Sequence, residues 1–145
     1  MNRWLLTVFF AAFGCAVYPA FAADDYPNAF KCSFERGHSW SYDAGEFTST
    51  TPAKLDFEIS SIDLERQSAT LVMGGKTSGK FSVIRALNAN HYLEVAIEGF
   101  LNLTTVYDFD PERKAHPAVH SRHFGLIGQP VFAQYIGFCT PDPSP

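Results

Sequence analysis

The sequence predicts an all-β fold: a small antiparallel β-barrel, with a two-sheet β-sandwich as the alternative. Three observations carry this. Between residues 29 and 139 apolar and polar residues alternate in short runs, with no sustained 3.6-residue apolar periodicity. Residues that tolerate turns separate those runs at short, regular spacing. Two cysteines, Cys32 and Cys139, stand at the two ends of the strand-rich region, and a bridge between them would set the first and last strands side by side.

The chain opens with an export signal over residues 1–22. Arg3 supplies a positive charge, Trp4 to Val17 carry none, Pro19 stops any helix, and Ala20-Phe21-Ala22 offers the small residues a signal peptidase needs. Cleavage is expected after Ala22, which directs the protein to the periplasm or outside the cell. An uncleaved anchor would need about 20 apolar residues, a length the run only just approaches before Pro19. Cys15 follows Ala12-Phe13-Gly14, without the bulky aliphatic residue that a lipoprotein signal places three positions earlier, so it is expected to leave with the signal. The formal net charge then moves from −4 to −5, because Arg3 alone of the charged residues is removed. Mild acidity without a basic cluster disfavours nucleic acid or an anionic membrane as partner.

Residues 23–28 form a polar lead, residues 29–139 a single β domain without repeat or linker, and residues 140–145 a proline-rich tail expected to stay outside the sheet. Cys32 and Cys139 are expected to pair, since disulfides persist outside the cytoplasm. Within the domain, Leu55, Phe57 and Ile59, then Ala69, Leu71 and Met73, then Phe81 and Val83 each share one strand face. Leu93, Val95 and Ile97 do the same, as do Leu101, Leu103 and Thr105. Asp43-Ala44-Gly45, Gly74 to Gly79, Asn88-Ala89-Asn90 and Glu98-Gly99 read as hairpin turns. A three-residue loop, Glu98 to Phe100, would pair Ile97 with Leu101 and Val95 with Leu103, leaving Glu94, Glu98, Asn102 and Thr104 on the opposite, polar face. The last strand, Pro130 to Cys139, is apolar on both faces, which predicts a covered position.

Several motifs suggest chemistry. Gly74 to Lys80 has the glycine and lysine spacing of a phosphate loop, but Phe81 replaces the hydroxyl residue and a strand follows where a helix is required. Asp108, Asp110 and Glu112 alternate like the first ligands of a calcium loop, yet Arg113 and Val119 occupy the positions for its glycine and glutamate. His116, His120 and His123 are weak candidates for a metal site, because His120 and His123 fall on opposite faces of a strand. Ser121 and His123 share a face but lie ~6.5–7 Å apart along it, too far for a nucleophile and its base. Arg122 shares a face with His120; a buried arginine must be paired, so if that face turns inward it should pair with Glu94 or Glu98, or recognise an anionic ligand. Trp40, Tyr107 and Tyr135, with Arg122 and His120, are the candidate ligand-binding residues, since aromatic walls with a few polar groups build small pockets.

Leu101 to Val106, Pro117 to His123 with its Ser-Arg-His, and Gln134-Tyr135-Ile136-Gly137-Phe138-Cys139 together resemble the endings of small exported bacterial proteins of uncharacterised function. The resemblance covers about a third of the mature chain. It implies export and a bacterial envelope, and it brings no activity or site residues. The expected function is a non-enzymatic exported domain that binds a small ligand or another envelope protein, with no cofactor. The alternatives are a metal-dependent or hydrolytic enzyme centred on His116, His120 and His123, and a structural or inhibitory protein without a pocket.

Overall fold

In the computed structural model, residues 26–97, 100–125 and 130–143 are described. The expected signal sequence and the residues Glu98 and Gly99 lie outside them. The strands are β1 (Phe30–Asp43), β2 (Glu46–Thr50), β3 (Leu55–Asp63), β4 (Ser68–Met73), β5 (Lys76–Arg85), β6 (Ala89–Ile97), β7 (Phe100–Tyr107), β8 (His116–Phe124) and β9 (Val131–Pro141). Every neighbouring pair is antiparallel, and β1 pairs with both β3 and β9, so eight strands close into a barrel with β2 as an extra strand beside β1. The barrel is thus the architecture, and the sandwich is not.

β1 is long enough to serve two neighbours on the same side. Its first residues pair with β3 and its last with β2, in one continuous register: Phe34 faces Leu55 and Ser39 faces Thr50. Thr51-Pro52-Ala53-Lys54 interrupts that ladder, and Pro52 has no N–H to give it. The β1–β2 turn is built by Ala44 and Gly45, both at positive φ (49° and 91°), which matches the right-handed twist of the flanking strands. Gly74 and Gly75 do the same between β4 and β5, so the lysine-bearing glycine motif is a two-residue hairpin that runs on into strand.

Cys32 and Cys139 sit opposite each other in the β1–β9 ladder and are bonded, closing the barrel covalently at a sequence separation of 107 residues. Beyond them β1 bulges, and Phe34 and Glu35 are accommodated opposite Gly137. β9 also continues past Cys139: Thr140 faces Lys31, Pro141 faces Phe30, and Asp142 donates its N–H to Ala29 O at 2.9 Å and pairs with Lys31 at 3.1 Å. The predicted loose tail is therefore held to the sheet as far as Asp142, because Pro141 ends the strand, where its missing N–H costs little. The polar lead is also engaged, with Tyr26 packed on the core and its hydroxyl 3.1 Å from that of Tyr92.

The core is inside the barrel. Phe30, Phe34, Ile59, Val83 and Tyr92 are fully buried, joined by Phe57, Leu71, Phe81 and Val106, each burial contributing about 1.5–3 kcal/mol. β3, β4 and β5 send inward the residues their alternation predicts, except that Met73, at the β4 end, is exposed. β6 and β7 do not. Leu93, Val95, Leu101 and Leu103 lie on the outer face, with Val95 70% exposed, while Tyr92, Glu94, Thr104 and Val106 are buried. Closure is the reason. Val83 pairs with Tyr92 and Ala118 with Val106, so the inward faces of β5 and β8 dictate those of the strands between them.

The β6–β7 register also differs from expectation. Val95 faces Leu101 and Leu93 faces Leu103, whereas Ile97 faces Phe100; a bulge around Ala96 absorbs the odd residue and lets a two-residue connection preserve the faces.

Candidate functional site

Inside the barrel, β6, β7 and β8 set three polar residues directly in line: Glu94 faces Asn102, and Asn102 faces Arg122. Glu94 is only 4% exposed, and its carboxylate rests against Gly79, where any larger residue would displace it. It accepts a hydrogen bond of 2.7 Å from Asn102 Nδ2, which gives the buried carboxyl group a neutral donor. Asn102 Oδ1 is buried without a hydrogen-bond partner among the described residues.

Arg122 does not pair with Glu94 as expected. Among the described residues it forms no ion pair; its guanidinium lies over the Phe124 ring, 5.1 Å from the centroid. The intervening Asn102 occupies the cross-strand position that a direct pair would need. The other expected partner, Glu98, lies outside the described residues.

One step deeper, Thr104 faces His120, and Tyr135 faces His120 from the other side. Thr104 Oγ1 and His120 Nδ1 are 2.8 Å apart. Burial, and secondarily the charge of Arg122, lower the His120 pKa from 6.5 to about 3, so the imidazole is neutral at ordinary pH. Its ring packs among Phe34, Phe57 and Tyr135. The cluster is thus a set of mutually placed polar groups wedged into an aromatic core.

Of the candidate ligand-binding residues, the fold brings Arg122, His120 and Tyr135 together inside and separates Tyr107 and Trp40 from them. Tyr107 lies on the outer wall of β7, and Trp40 on the outer wall of β1, stacked on Phe132 with 5.0 Å between ring centroids. The histidines are dispersed as well. His116 faces inward and donates Nδ1–H to Tyr107 O at 2.8 Å, His120 lies a further turn of the pleat along, and His123 faces outward. Among the described residues no three His, Cys, Asp or Glu side chains converge as a metal site requires. The alternating carboxylates before them form a turn: Asp110 Oδ1 accepts the N–H groups of Glu112 (2.9 Å) and Arg113 (3.2 Å).

The outer wall has a chemistry of its own. From His91 to Val95 on β6, across β7, β8 and β9 to Phe138, and along β1 from Arg36 to Tyr42, no outward-facing strand position carries Asp or Glu. One direct cross-strand row reads Val95, Leu101, His123, Phe132 and Trp40. The last strand, expected to be covered, instead exposes Ile136 (45%) and Phe138 (38%). They floor a groove of about 700 Å³ that is also lined by Tyr107, Arg36, Arg113 and, at its margin, Glu35, and the Arg113 guanidinium lies 5.4 Å from the centroid of Phe138.

No protein-family model matches this chain, and neither do any of the curated proteins or solved structures compared with it. Function therefore rests on the site itself.

Sequence reasoning passed over Glu94, Asn102 and Thr104 as inward residues, and Arg36 and Arg113 as outer-wall cations. The signal for the wall was present, since every second residue of four successive C-terminal strands avoids carboxylates. It becomes legible only once the face of each strand is known.

Proposed function

We propose that this is an exported, non-enzymatic β-barrel domain that binds another protein of the bacterial envelope through its outer wall, in the periplasm or outside the cell. The observation that carries this reading is the aromatic-rich wall, poor in carboxylates with Glu35 at its margin, on a chain whose formal net charge is −4. Protein interfaces are enriched in aromatic residues and arginine at their centres and depleted in Asp, Glu and Lys. A contiguous exposed apolar surface is also the usual mark of an interaction site.

The interior gives less support to a bound ligand, because Phe30, Phe34, Ile59, Val83 and Tyr92 fill it. Among the described residues no helix is long and apolar enough to cross a membrane. The apolar wall also stops at β3, which turns Asp56 and Glu58 outward, whereas a membrane barrel carries its apolar band all round. The disulfide suits an oxidising compartment, as export requires.

The test is in-cell crosslinking followed by purification of the tagged protein from its envelope. Ile136→Glu combined with Leu101→Glu should reduce the recovered partner at least about tenfold, the loss expected from a buried unpaired charge at an interface. Asp56→Lys on β3 should leave it unchanged. Equal recovery with the wall variant and the wild type would refute the assignment.

A further inference from the structure

We infer that β2 is a self-association edge: two copies of this chain pair antiparallel through Glu46–Thr50, about a twofold axis at Thr48. This does not rest on the outer-wall reading, because the backbone edge carries it. Among the described residues β2 pairs only with β1, and all five of its residues are exposed.

The direction of its backbone groups follows from the ladder. In an antiparallel pair, residues alternate between those that bond to the partner strand and those that face away from it. Tyr42 donates its N–H to Pro130 O at 3.0 Å, on the side away from β2, so Tyr42 and its partner Phe47 are a non-bonded pair. Phe47 and, by alternation, Ser49 therefore turn their N–H and C=O groups to the open edge, while Thr48 bonds back to β1.

Only some registers use those groups fully. Centring the pair on Thr48 sets Phe47 opposite Ser49 of the second copy, and Ser49 opposite its Phe47. Each such pair exchanges two bonds, giving about four backbone hydrogen bonds in all. Centring on Phe47 or Ser49 instead would push one of the pairs into the Ala44-Gly45 turn or the Thr51-Pro52 break.

The chosen register also sets Glu46 against Thr50, so no like charges meet, and runs the acidic tip at Asp43 and Glu46 toward the segment ending in Lys54. Phe47, 62% exposed, comes diagonal to its counterpart. β2 lacks the lysine or proline that commonly protects an exposed edge; Pro52 lies just beyond it.

The interface is small beside the ~1,200 Å² of stable complexes, so half-association is expected on the order of 100 µM. The experiment is sedimentation equilibrium of the purified protein, with disulfide trapping. Thr48→Cys should form a covalent dimer under mild oxidation, because the two Cα atoms would be ~4.5 Å apart across the axis, within disulfide reach. Thr50→Cys should not, since its two copies would be about 13 Å apart along the ladder. Ser49→Pro, which removes an N–H that the single chain does not use, should abolish the mass increase with concentration. Phe47→Lys should weaken it at least tenfold. A wild-type mass that stays monomeric to about 1 mM, or equal trapping at positions 48 and 50, would overturn the inference.

Discussion

Thr104 Oγ1 and His120 Nδ1 meet at 2.8 Å inside the barrel, on strands that pair directly, with Thr104 wholly buried and His120 nearly so. The contact fixes the imidazole within an aromatic shell that holds it neutral, and this has a measurable consequence for stability.

His120 keeps a folded-state pKa of about 3, first through burial and then through Arg122, whereas in the unfolded chain it titrates near 6.5. Between those values the unfolded chain takes up a proton that the folded one refuses. Its contribution is fully present above about pH 6.5 and is lost as pH falls toward 3, with a slope of up to about 1.4 kcal/mol per pH unit. Urea denaturation across this range should show the loss, and His120→Gln should flatten it.

Thr104→Val keeps the shape and removes the hydroxyl. It should destabilise the barrel by about 1–3 kcal/mol, the cost of leaving a buried polar group unpaired, while Thr104→Ser should cost about 1 kcal/mol through its lost methyl. Chemical denaturation midpoints at neutral pH separate the two.

Gly137 lies opposite the β1 bulge, where an added Cβ would meet the backbone of Ser33 and Phe34. Gly137→Ala should therefore be among the most damaging single changes, costing on the order of 3 kcal/mol or more. Gly79→Ala meets the movable Glu94 side chain instead, and its melting temperature should fall less.

Replacing Cys32 and Cys139 by serine together should lower stability by roughly 4–5 kcal/mol, because the bridge closes a loop of 107 residues. Calorimetry of the oxidised protein beside the double variant measures the difference. Thiol titration of the folded, oxidised protein should find neither cysteine free.

The strands read most easily were those whose two faces differ most. Phe57 and Ile59 alternate with Asp56 and Glu58, and Phe81 and Val83 alternate with Ser82, so each has one plausible inward face. β6 and β7 offered two. Leu93, Val95, Leu101 and Leu103 look like a core set, but Tyr92 and Val106 supply the competing face, and there the polar groups bond to one another through the Glu94–Asn102 and Thr104–His120 contacts, although Asn102 Oδ1 takes no part in them. A polar face can turn inward when its hydrogen bonds are made there. The same ambiguity concealed the outer wall, because β9 is apolar on both sides and nothing local says which side solvent meets.

The sequence by itself determined an all-β chain, its main turns, the pairing of Cys32 with Cys139 and the shared face of His120 and Arg122. These follow from local alternation, turn chemistry and the placing of two cysteines at the two ends of the strand-rich region. Only the tertiary structure decided barrel over sandwich, the inward turn of Glu94 and Thr104, the ring contact of Arg122 and the open edge of β2. Closing a sheet makes each strand's facing depend on both of its neighbours, and that dependence is absent from any single stretch of chain.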